Sequence, residues 1–179
     1  HTINTSYYTA DGDGDCAGKP ALEGLVCKTM PASQPAGVPV PVTWVKSYND
    51  MDQPLVTQET SGGTTRTTTT TYDELGRVRS TSTQIDGGQS ADNNSMSSTT
   101  SYGPAGLATQ TTSGGETVST GYDAWGRVTS STDATGLTST TTYNPRGLVA
   151  GTDDGTGPDS TYSYTYNAQG LLKKVNPGS

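Results

Sequence analysis

The sequence has no phenylalanine, one histidine, two cysteines and two tryptophans in 179 residues. Each shortage excludes some chemistry. With histidine only at position 1, neither a Ser-His-Asp nor a Cys-His arrangement can be assembled inside a fold. Cys16 and Cys27 are too far apart for a redox Cys-x-x-Cys, and they lack the companions a cysteine metal site needs. Lysine and arginine number 10 against 17 acids, giving a net charge of −7. Scattered cations in an acidic chain suit neither the phosphates of nucleic acid nor an anionic membrane surface. No apolar run approaches the roughly 20 residues of a membrane span. Glycine-rich phosphate-binding motifs are missing, and no acid sits in an apolar stretch that would raise its pKa. No enzyme activity and no cofactor are therefore expected, with calcium the one exception taken up below.

A large core is missing too. Leu, Ile and Val total 22 residues, whereas Thr alone supplies 34. So few aliphatics in a charged chain would fit disorder. Disorder should also deplete aromatics, yet ten tyrosines are present and several keep register with glycine. The composition fits a thin sheet with Tyr and Val packed across strands and Thr and Ser wet on at least one face. Cross-strand pairs worth about 0.2–1 kcal/mol each would then carry the stability.

What is present is a repeat. Tyr72-Asp73-Glu74-Leu75-Gly76-Arg77-Val78 returns as Tyr122-Asp123-Ala124-Trp125-Gly126-Arg127-Val128. Looser copies are Tyr102-Gly106-Leu107, Tyr143-Gly147-Leu148 and Tyr166-Gly170-Leu171, and a degenerate first copy has Tyr48, Asp52 and Leu55. The six tyrosines lie 24, 30, 20, 21 and 23 residues apart, the spacing of a repeat architecture. An Asp or Asn after the Tyr starts a type I turn through its side chain, and the glycine closes it in the left-handed conformation. The Thr-rich flanks favour strands over helix. Each unit thus reads as strand, turn, strand, with turns at 73–76, 123–126, 144–147 and 167–170. The opposite turns are expected at residues 86–94, 113–115 and 153–155.

These motifs resemble the YD repeats of Rhs proteins, wall-associated bacterial toxins, toxin-complex proteins and teneurins. The likeness covers residues 44–175. It implies an all-β fold in which repeated antiparallel hairpins form a curved single-layer sheet, part of a spiral shell. It also implies a structural wall that encloses or presents a C-terminal toxin or effector domain in a secreted or cell-surface protein. About 13 strands give roughly 60 Å of sheet, and a wall around a domain of about 130 residues needs some 30 strands. The partners implied are therefore further YD repeats and the effector domain of a longer parent chain, of which this sequence is expected to be a piece. Two other readings stay open. One is an adhesive or carbohydrate-binding module; the other is an extracellular strip that self-assembles through its sheet edges. Nucleic acid and membrane insertion are not expected.

The chain divides by composition into a leading strand at 1–9, a Pro-rich insertion at 10–43 and the repeats at 44–179. Within the insertion, Ala21 to Lys28 fits one or two helical turns, and Cys16 and Cys27 fit a disulfide. Asp11, Asp13 and Asp15 alternate as in calcium loops, but the twelfth position is Leu22; a solvated acidic turn is the other reading. Arg77 and Arg127 are expected over a neighbouring Tyr or paired with Asp73 and Asp123. Trp44 and Trp125 are expected to pack on the sheet, or else to hold a sugar.

Overall fold

The computed structural model describes residues 2–33, 35–87 and 95–178. It is β structure throughout, and the order of strands in the sheet is their order in the chain. Among the described residues the only helical pieces are two 3-10 turns, Pro20–Leu22 and Pro158–Ser160. The chain forms two compact units, residues 1–99 and 100–179.

The first unit holds β1 (Ile3–Tyr7), β2 (Val26–Pro31), β3 (Val42–Tyr48), β4 (Pro54–Ser61), β5 (Thr64–Tyr72), β6 (Val78–Asp86) and the start of β7 (Met96–Tyr102). Successive strands pair antiparallel, with Lys28 opposite Trp44, Trp44 opposite Gln58 and Gln58 opposite Thr67. Gly62 and Gly63 join β4 to β5 with Ser61 opposite Thr64, both at positive φ (58° and 82°). That is the two-residue type I′ turn, whose twist matches that of the strands.

The second unit holds the end of β7, then β8 (Ala108–Ser113), β9 (Glu116–Tyr122), β10 (Val128–Thr132), β11 (Thr138–Tyr143), β12 (Val149–Asp153), β13 (Thr161–Tyr166) and β14 (Leu172–Pro177). Gly114 and Gly115 repeat the same tight turn between β8 and β9. Bulges accompany Tyr-led turns at Ser47/Tyr48, Thr71/Tyr72, Thr142/Tyr143 and Thr165/Tyr166.

Among the described residues only Tyr8, Cys27 and Ser160 are buried. Hydroxyl pairs across strands stand in for an apolar core: Thr68 with Thr83 at 3.1 Å, Thr81 with Ser98 at 2.9 Å and Thr112 with Thr117 at 2.9 Å. A β-branched hydroxyl fits here because it packs on the pleat and bonds its neighbour at once.

The insertion at 10–43 is smaller than composition suggests. Val26–Pro31 is a strand paired to both β1 and β3, and β3 begins at Val42. The helical reading of Ala21 to Lys28 reduces to the turn at Pro20–Leu22. Gly24, at φ 82°, ends it, and the β-branched and sulfur side chains from Val26 onward favour pairing. The true excursion lies between β1 and β2. Part of the loop expected at 86–94 falls outside the described residues.

Candidate functional site

The repeated turn is the one constellation the sequence singles out, and it can be built atom by atom. In the 123–126 turn the Gly126 amide donates to the Asp123 carbonyl at 3.0 Å, and the Asp123 amide donates to the Arg127 carbonyl at 3.0 Å. Gly126 has φ 79°, which a residue with a Cβ adopts only under strain. Asp123 Oδ1 accepts the amides of Trp125 (2.9 Å) and Arg127 (3.0 Å), while Oδ2 accepts Arg127 Nε (2.7 Å) and faces Nη2 at 2.6 Å. Asp73 holds Leu75 and Arg77 in the same way. Asn144 and Asn167 keep the two amide contacts without the ion pair.

These carboxylates are held below the ordinary range. For Asp73 the main cause is the hydrogen bond from the Arg77 side chain, helped by the Arg77 amide. For Asp123 desolvation pushes the other way, and the Arg127 side chain with the Arg127 and Trp125 amides outweighs it.

Two further turns have the same geometry. At 49–52, Asp52 occupies the left-handed position with φ 57° in place of glycine. At 133–136, Asp133 accepts the amides of Thr135 and Leu137, and Gly136 donates back to Asp133. The second lacks the Tyr because Thr132 precedes it, so a search keyed on Tyr passes over it; Asp-x-x-Gly alone would have found it. The 103–106 turn closes likewise, from Gly106 to Gly103.

The tyrosines tie one turn to the next. Five of the repeat tyrosines donate their hydroxyls to the carbonyl of the first residue of the preceding strand. Tyr48 reaches Val26 (2.6 Å), Tyr72 Pro54 (3.0 Å), Tyr122 Ala108 (2.8 Å), Tyr143 Val128 (2.9 Å) and Tyr166 Val149 (2.8 Å). Tyr8, at the end of β1, reaches forward to Val45 (2.6 Å). Burial pushes the Tyr8 and Tyr48 hydroxyls up, so both stay protonated donors.

Side chains from three of the turns reach the following one on the same edge. Gln53 Nε2 donates to the Gly76 carbonyl at 2.8 Å. The Arg127 guanidinium lies 4.0 Å from the Tyr143 ring centroid and 4.9 Å from that of Trp125. Arg146 donates to the Asn167 and Ala168 carbonyls at 3.1 and 3.0 Å. A Cβ at Gly147 would stand 3.3 Å from Arg127, and one at Gly170 would stand 3.3 Å from Arg146. The glycine therefore serves its own turn and the reach of the preceding one.

Elsewhere the sequence candidates divide. Cys16 and Cys27 form a disulfide, with Cα atoms 5.7 Å apart and Cys27 fully buried. It clasps the loop between β1 and β2. Asp11, Asp13 and Asp15 are not brought together: among the described residues no group of three acids, histidines or cysteines is placed to hold a metal. Gly12 and Gly14, at φ 103° and 116°, turn the chain between them. Trp44 packs on the sheet, with Lys28 and Lys46 ammoniums 4.8 and 4.4 Å from its ring. Trp125 departs from its expected packing: it stands at a turn tip, 81% exposed. The third turn position points away from the strands, and spacing alone does not reveal that.

The polar groups of these turns satisfy one another. The class they define is a β-hairpin repeat, stapled from turn to turn. Comparison with known proteins gives the family. Residues 122–159 match the family model described as RHS Repeat, which places that stretch among the Rhs/YD repeats. The fold of the whole chain is found in solved Tc toxin structures. A complex of TcdB2, TccC3 and Cdc42 matches with TM-score 0.56 at 13% identity, over 98% of this chain and 10% of that one. The Photorhabdus luminescens Tc holotoxin pore matches with TM-score 0.55 at 14% identity, over 98% and 10%. A TcdB2-TccC3-TEV structure matches with TM-score 0.55 at 14% identity and the same coverage. This chain thus spans about a tenth of those chains' length. No curated protein sequence matches it.

Proposed function

We propose that this chain is a non-catalytic wall segment of an Rhs-repeat shell, enclosing or presenting an effector domain of a longer secreted or surface-exposed parent. The observation that carries the reading is the turn-to-turn relay, in which Gln53, Arg127 and Arg146 each find their partner on the following turn. A unit completed by its neighbour extends without limit and buries little by itself, as repeat arrays do. Wet Thr and Ser on both strand faces suit a container, since an apolar lining would bind what it encloses. The Rhs repeat and the likeness to Tc toxin structures support the same role.

Adjacent residues of a strand face opposite sides, and this provides a test. A photo-crosslinking amino acid is placed at Thr67, and separately at Thr68, in the parent protein. One of the two should trap the effector domain and the other should not. Failure of both to crosslink to it would contradict enclosure.

A further inference from the structure

The Cys16–Cys27 disulfide lies outside the relay of turns, at the outermost pair of strands of the first unit. β1 is an edge strand that pairs with β2 alone, and of its side chains only Ser6 is partly covered. Ser6 pairs with Lys28 and Tyr7 with Val26, which leaves Cys27 as the extra residue of a bulge. Its side chain is bonded to Cys16 in the loop of residues 8–25. Among the described residues, the hydrogen bonds of positions 9–24 stay within that loop: the Thr9 amide donates to the Cys16 carbonyl, and the Lys19 amide to the Thr9 carbonyl. The one buried side chain of the loop is Tyr8, whose hydroxyl donates to the Val45 carbonyl.

Beyond the β1–β2 ladder, β1 and its loop are therefore tied down by Tyr8 and by the disulfide. Gly12, Gly14, Gly18 and Gly24, all at positive φ, have much backbone freedom to regain once a tie is cut. The two sulfurs also differ in access. Cys27 is 1% exposed, whereas Cys16 is partly open to solvent. An external thiolate thus meets Cys16 first.

We propose that this disulfide is a redox clasp, opened by thiols at Cys16, whose opening releases β1 and its loop from a sheet that otherwise stays folded. A thiolate bonds to Cys16 Sγ, the bond between the two cysteines breaks, and Cys27 leaves as a thiolate that takes a proton. A second thiol then displaces Cys16 from the mixed disulfide. Two thiols end as one disulfide, and both cysteines end as thiols. The release is local because β2 keeps other holds: Lys28 and Thr29 pair with Trp44 and Thr43, and the Tyr48 hydroxyl donates to the Val26 carbonyl at 2.6 Å. β2 then becomes the open edge of the sheet. The clasp works in the chain by itself, independently of the wall role.

The test compares the oxidised 179-residue chain with the same chain reduced by dithiothreitol, following amide exchange by mass spectrometry. On reduction, peptides covering residues 3–25 should exchange at least about tenfold faster, while those covering 54–86 and 108–177 should not change. A Cys16→Ser, Cys27→Ser double variant should exchange as the reduced chain does and ignore the dithiol. Brief treatment with a monothiol, quenched in acid, should place the mixed disulfide on Cys16. Unchanged protection of residues 3–25 after reduction would overturn the proposal. So would equal loosening of residues 54–86, a mixed disulfide on Cys27, or a bond that survives excess dithiol in the folded chain.

Discussion

At the residue scale, the turn glycine and the Asx before it do most of the specifying. Gly126 is needed for its φ of 79°, and a Cβ there would also stand 3.3 Å from Leu107 Cδ1. Gly126→Val should therefore destabilise by about 1–2 kcal/mol for the dihedral alone. Ala124→Val, at an exposed position with no special dihedral, should change stability little. Urea unfolding of both variants checks this, and equal midpoints would contradict the turn assignment. Acid should act on the same turns. Asp73 and Asp123 have folded pKa values below their unfolded ones, so the stability they add is present above the ordinary carboxylate pKa, about 4. It is lost as pH falls through the depressed folded values. Melting temperature should hold from about pH 7 to about pH 5 and drop below about pH 4. Asp123→Asn should show a shallower drop, since Asn144 and Asn167 keep the amide contacts with a side chain that does not titrate. A profile as steep as that of the parent chain would contradict this.

At the element scale, the staple is the tyrosine hydroxyl. Tyr122 and Tyr166 link different strand pairs, β8 with β9 and β12 with β13. Each Tyr→Phe change should cost about 0.5–1.5 kcal/mol, and the double variant about the sum. Denaturant midpoints measure this; no loss in either variant would show that the ring matters and the hydroxyl does not. The turns themselves were legible in the sequence, because Asp-x-x-Gly chemistry is local. The turn at 133–136 is hidden from a Tyr-led pattern because Thr132 stands in the Tyr position. What the tyrosine bonds to was not legible: the Tyr143–Val128 contact depends on pairing register, which a linear pattern does not show. Composition makes the excursion at 10–43 look wider than it is, because proline and glycine punctuate it while Val26–Pro31 still finds β1 and β3.

At the scale of the whole molecule, each unit is hairpins whose stability is local and whose faces are polar. Among described residues, burial is concentrated near the clasp of Cys16 and Cys27, where Cys27 and Tyr8 lie. The most direct measurement is limited proteolysis of the full-length parent beside a version lacking these repeats, following the effector domain by mass. The wall reading predicts an effector that survives in the parent and is digested once the repeats are removed. Identical digestion in both would contradict it.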